Sequence, residues 1–196
     1  MKLNKTNRLT LTALFVALIL LFGPPIKLGY FSLGVINVTI LCVPVIIGTL
    51  LLGLRTGLLL GFFFGLLSTL SAFGIMDTPS TLAATLVAAN PALAIIMCFL
   101  PRLMVPTVTY FVYKLFANGK RASTKAVPYA AICGSLTNTI LYLGLMLLFY
   151  VIMGINSENV LKIIGTTSLL AGSLEAIIAA LISTPILTAL WKVSKR

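Results

Sequence analysis

The sequence predicts an all-α integral membrane protein. Residues 1–196 are expected to form a single transmembrane domain, a bundle of six transmembrane helices with both termini cytoplasmic. Three observations carry that expectation. The composition is 60% hydrophobic and 9% charged, with a mean hydropathy of +1.15, whereas a soluble domain is about a quarter charged. The apolar residues gather into six runs near 9–22, 38–52, 58–73, 101–116, 127–153 and 163–191, most of them close to the length that crosses a bilayer. The cations are shared unevenly between the intervening loops. Six spans put Lys2, Lys5, Arg8, Arg55, Lys114, Lys120, Arg121, Lys125, Lys192, Lys195 and Arg196 on one face, and leave Lys27 and Lys162, with Arg102 nearby, for the other. Basic loops mark the cytoplasmic side, so the net charge of +11 is a topology signal and not one for nucleic acid.

Several function classes drop out at this level. There is no histidine, which removes the usual general base and the commonest metal ligand. The carboxylates are Asp77, Glu158 and Glu175, widely spaced, so no acid–base pair or metal cluster is expected. No phosphate-binding Gly-rich loop with its Lys and Ser/Thr is present. Cys42, Cys98 and Cys133 lie in apolar surroundings without metal or redox spacing and read as small hydrophobes. The chain is not expected to be an enzyme or to hold a cofactor.

In chain order, Leu9 to Phe22 follows a basic start, lacks a small-residue cleavage site, and stops at Gly23-Pro24-Pro25. It reads as the first span and not as a signal peptide. Ala13 and Ala17 form a small-xxx-small pair that permits close helix approach. Residues 23–37, with Tyr30, Phe31 and Asn37, form an irregular, apolar loop, read either as a lid over the mouth of the bundle or as an interfacial anchor. The second span, 38–52, is interrupted by Pro44. A tight turn around Arg55 leads to the third, whose Gly57, Gly61 and Gly65 form a packing stripe. Residues 74–100 read as a long, partly helical connection broken at Asn90-Pro91; a broken seventh span is the alternative. Pro101 then opens the fourth span at a position where its missing N–H is harmless. The fifth carries Asn138 and Tyr142 one turn apart, and the sixth carries Glu175 and a Pro185 kink.

The polar groups inside these spans suggest a ligand site. A cation at mid-bilayer costs about 3 kcal/mol on insertion scales, so Arg102 either snorkels to an interface or faces a polar cavity. Pro106 cannot donate to the Arg102 carbonyl, which frees that acceptor as well. On the six-span topology, Arg102 lies near the outer surface, with Asn138 and Glu175 below it, roughly 16–18 Å along their helices. Together they suit a small molecule with a carboxylate, an amide and hydroxyls.

Four stretches resemble a known family. They are Thr12-Ala-Leu-Phe-Val-Ala-Leu18, Val43 to Gly53 with Gly61-Phe-Phe-Phe-Gly65, Leu100-Pro-Arg-Leu103, and Gly134-Ser-Leu-Thr-Asn-Thr-Ile140. In this order and spacing the chain resembles the substrate-binding (S) components of energy-coupling factor (ECF) vitamin transporters. The resemblance implies a multi-pass protein of a prokaryotic cell membrane that binds a vitamin from outside with high affinity and releases it inside by toppling of the bundle. It implies a complex with a transmembrane coupling subunit and two ATPases, which would use the ATP. Ala13 and Ala17 match the family's docking motif. The Pro-Arg and Thr-Asn-Thr stretches are most similar to pantothenate-specific members. That implies substrate contacts from Arg102, Asn138, Tyr142 and Glu175, with Tyr30, Phe31 and Asn37 from the loop. Other vitamins (folate, cobalamin, pyridoxine or hydroxymethylpyrimidine type) and a stand-alone secondary transporter are the alternatives.

Overall fold

The computed structural model describes residues 4–23, 26, 30–32, 37–76, 79–117, 119, 122–155, 161 and 169–193; for 30–32, 37–39, 169–171 and 193 it describes the backbone. The described chain is overwhelmingly helical. Five of its helices are long and apolar enough to cross a membrane: α1 (Lys5–Phe22), α3 (Leu54–Ala72), α5 (Pro91–Phe116), α6 (Ala126–Ile152) and α7 (Leu169–Val193), counted over Gly172–Lys192 in the last. Two shorter helices, α2 (Cys42–Leu52) and α4 (Thr81–Ala89), complete the set among the described residues. Asp77, Glu158, Lys27 and Lys162 lie outside the described residues.

The second apolar run departs from a simple span. Residues 37–39 are extended and pair antiparallel with Tyr30–Ser32, so β1 (Tyr30–Ser32) and β2 (Asn37–Thr39) form a hairpin with Phe31 opposite Val38. The segment read as irregular therefore contains a two-stranded ribbon, and β2 runs beside α7. Only 11 residues remain for α2. Pro44 does not interrupt it, because the helix begins at Cys42 and Pro44 falls in the first turn, where backbone N–H groups have no intrahelical partner. Val43, Val45, Ile46, Ile47 and Leu52 are all buried. A helix that is apolar on every side belongs inside a bundle, and α2 packs against α1, α3, α5, α6 and α7.

Gly53 alone joins α2 to α3. Its φ of 94° reverses the chain at no Cβ penalty, and its N–H caps the Thr49 carbonyl. The Arg8 guanidinium of α1 donates to the Leu52 carbonyl (3.0 Å) and Thr56 Oγ1 (3.4 Å), tying the start of α1 to this corner. The glycine stripe of α3 meets α5. A Cβ built on Gly57 would lie 2.9 Å from Pro106 Cβ, one on Gly61 would lie 2.6 Å from the Arg102 carbonyl oxygen, and one on Gly65 would lie 2.9 Å from the Phe99 ring. The stripe is thus a backbone-to-backbone seam.

The main correction concerns 74–100. Helix α5 begins at Pro91, ten residues before the expected start, and Pro101 lies in its interior. Asn90 caps it, with Oδ1 accepting from the N–H groups of Ala92 (3.0 Å) and Leu93 (3.3 Å), and Pro91 occupies the first turn. The preceding α4 is only nine residues long, capped by Ser80 Oγ accepting from the Ala83 N–H. It is too short to span. It packs beside the first half of α5 in a second apolar cluster of Leu86, Ala94, Met97, Met146 and Phe149, and the Tyr150 hydroxyl donates to the Leu82 carbonyl (2.7 Å).

Candidate functional site

The interior prolines of α5 shape the site. Pro101 has no N–H for the Met97 carbonyl, and a helix interior tolerates that loss only if something else serves the acceptor. The Arg102 guanidinium does so, its Nη1 donating to Met97 O at 3.4 Å. Pro106 likewise leaves the Arg102 carbonyl without its intrahelical donor, and that oxygen faces Gly61 of α3. The two prolines thus free two carbonyls, five residues apart, on a helix that stays continuous.

Arg102 sits at the twelfth position of α5, roughly 16 Å from the helix start. It is 8% exposed. The helix starts earlier than the expected Pro101, so the arginine falls in its middle, and its side chain is buried in the bundle. The guanidinium carbon stands 4.5 Å from the centroid of the Tyr142 ring and 5.4 Å from that of Phe64. Two aromatic faces offset part of the desolvation of a buried cation, at about 2 kcal/mol for a desolvated pair. Its Nε is buried without a hydrogen-bond partner.

Asn138, one turn from Tyr142 on α6, is 7% exposed, and its Oδ1 is also buried without a partner. The next residue, Thr139, donates from its hydroxyl to Glu175 Oε2 on α7 at 3.5 Å. Gly172, one turn before Glu175, permits this approach, since a Cβ there would come within 2.9 Å of Thr139 Cγ2. Cys42 is buried at the start of α2. Polar groups of α5, α6 and α7 are thus linked in two contacts, Arg102 with Tyr142 and Thr139 with Glu175.

Of the residues singled out in the sequence, Arg102 and Tyr142 touch, Asn138 adjoins Tyr142 on the helix, and Glu175 reaches the same helix through Thr139. Tyr30, Phe31 and Asn37 lie on the hairpin, whose side chains are outside what is described. Ala13 and Ala17 are remote from this cluster, exposed on α1 along a groove of about 670 Å³ shared with α3. Sequence reasoning missed Phe64 and the contact of Thr139 with Glu175. Phe64 lies one turn from Gly61, on the face the glycines turn toward α5, so a helical projection of α3 would have exposed it. The Thr139–Glu175 contact joins different helices and has no local signal.

The arrangement offers a buried cation, an amide oxygen and a carboxylate on facing helices. It suits a small polar anion. The chain matches the family model for the ECF transporter substrate-specific component over residues 7–187. It is 32% identical to the pantothenic acid transporter PanT of Lactococcus lactis subsp. cremoris, over 98% of this chain and 97% of that protein. It is 31% identical to the pantothenate transporter PanT of Leuconostoc mesenteroides subsp. mesenteroides, over 80% of this chain and 76% of that protein. With its apolar helices, this makes it a multi-pass protein of a bacterial cell membrane. The chain belongs to the family of substrate-specific components of ECF transporters.

Proposed function

We propose that this chain is the high-affinity pantothenate-binding subunit of an ECF-type importer. Pantothenate carries a carboxylate, an amide and two hydroxyls. In this reading the carboxylate takes the Arg102 guanidinium, Asn138 serves the amide or a hydroxyl, Glu175 accepts from a hydroxyl, and Tyr142 walls the site. Tyr30, Phe31 and Asn37 close it from the hairpin. The observation that carries the reading is Arg102 itself, buried between two aromatic rings with Nε unpartnered, together with an equally buried Asn138, one helical turn from Tyr142, whose Oδ1 is unpartnered. Buried polar atoms ordinarily have partners, and a substrate with complementary groups provides them.

The chain works as one domain of six crossings, 1–196. The α2–hairpin segment accounts for the crossing that is short of a full helix, and the basic ends of the helices face the cytoplasm. Substrate enters from outside and leaves when the bundle topples in complex with a transmembrane coupling subunit and two ATPases. Those subunits hydrolyse the ATP, and Ala13 and Ala17 form the docking face of this one. Calorimetric titration of the detergent-purified chain with pantothenate is the test. One-to-one binding of pantothenate in preference to folate, cobalamin and pyridoxine supports the reading. Preference for another vitamin overturns the substrate, and uptake into liposomes by the chain alone overturns the need for ATPase partners.

A further inference from the structure

The groove between α1 and α3 has a charge pattern of its own. Three cations, Lys5, Arg8 and Arg55, gather at one end. Apart from the hydroxyls of Thr12 and Thr56, the rest of its length is apolar, running past Leu9, Ala13, Val16, Ala17 and Leu20 of α1, with Leu59 of α3 opposite. Among the described residues no carboxylate lines it. Leu9 is 74% exposed, and α1 buries only Phe15 and Ile19, so the groove opens outward, away from the bundle. From Arg8 to Leu20 it runs roughly 18 Å along the helix, comparable to the ~15 Å depth of one hydrocarbon leaflet. Arg8 is held in place by the Leu52 carbonyl and Thr56, so one cation of the cluster is fixed before anything binds.

We propose that this groove seats one anionic phospholipid, with its phosphate against Lys5, Arg8 and Arg55 and an acyl chain along Ala13 and Ala17. The charge complementarity selects the occupant. A cluster of cations at the end of a leaflet-long apolar channel matches a negative head group on a hydrocarbon tail and gives a zwitterionic lipid no advantage. The small side chains of Ala13 and Ala17 leave the depth that the tail fills. The inference rests on the chain's place in a bilayer and does not depend on the substrate or on the docking role proposed above. If a coupling-subunit helix does use Ala13 and Ala17, the lipid must leave first.

Native mass spectrometry of the full chain in detergent, titrated with palmitoyl-oleoyl-phosphatidylglycerol or with the corresponding phosphatidylcholine, tests it. One phosphatidylglycerol should be retained per chain in preference to phosphatidylcholine. The double variant Lys5→Gln/Arg55→Gln should weaken that retention by about 30-fold, at roughly fivefold per cation near the head groups. Ala13→Leu/Ala17→Leu should weaken it by filling the channel. Lys114→Gln/Lys192→Gln, which removes two cations outside the groove, should leave it unchanged. Equal retention of both lipids overturns the proposal. So does undiminished retention in either groove variant, or an equal loss in the Lys114/Lys192 variant. The readout is lipid mass on the isolated chain, so it is independent of whether uptake or vitamin binding occurs.

Discussion

Two stripes of small residues in this chain, spaced alike, have opposite fates. Gly57, Gly61 and Gly65 on α3 are filled from within the molecule by Pro106, the Arg102 backbone and Phe99. Ala13 and Ala17 on α1 are left open to the outside. Glycine lets two backbones meet, and the chain uses that to hold α5 where its buried arginine serves the site. Alanine leaves a shallow channel that an outside molecule can fill. Small-residue spacing therefore marks close approach without saying whose surface approaches. The neighbours decide: the α3 stripe faces a proline-bearing helix with a carbonyl to shelter, whereas the α1 stripe lines an open groove with cations at one end.

The largest effect on the fold is expected on the filled stripe. Gly61→Val places a Cβ against the Arg102 carbonyl and should lower stability by about 3 kcal/mol, read as a drop in thermal midpoint in detergent. An unchanged midpoint would mean that the α3–α5 seam is looser than described. Asn138→Ala should spare the midpoint and weaken pantothenate binding about tenfold, the value of one well-made hydrogen bond to a buried partner, measured by calorimetry. Ala13→Leu with Ala17→Leu should shift stability by no more than about 0.5 kcal/mol, as surface substitutions do, and should leave vitamin binding intact. The same pair should stop uptake in cells that carry the ATPase partners. Normal uptake would show that the open stripe is not a docking face.

The contrast between local and non-local signals explains what the sequence disclosed. The membrane class follows from composition, and the order of the long helices and the packing role of the α3 glycines follow from apolar runs and from spacing along one helix. Pro101 resembles a first-turn proline and so points to a helix start there, whereas α5 begins at Pro91. The stronger signal lay at Asn90-Pro91, a side-chain cap followed by a proline whose N–H is not needed. The interior Pro101 is tolerated because the next side chain, Arg102, serves the carbonyl it leaves free. That compensation is a three-dimensional fact, and it also explains why the depth of Arg102 was not legible. Pro44 misled in the same way: it seemed to interrupt a span and instead lies in the first turn of a short buried helix. Phe64 reaches Arg102 from α3 and Glu175 reaches Thr139 from α7, and these contacts between helices have no local signal in the sequence.

The central claim is that Arg102 seats a carboxylate, and a binding cycle on one purified protein tests it most directly. The unmodified chain and Arg102→Ala are each titrated with pantothenate and with the corresponding alcohol, in which CH2OH replaces the carboxylate. The unmodified chain should prefer pantothenate by about 10²–10³-fold, the range for a buried charge-assisted pair. Arg102→Ala should bind both compounds with similar, weak affinity. If Arg102→Ala keeps the full preference for pantothenate, the carboxylate sits elsewhere and the site has been assigned to the wrong cation.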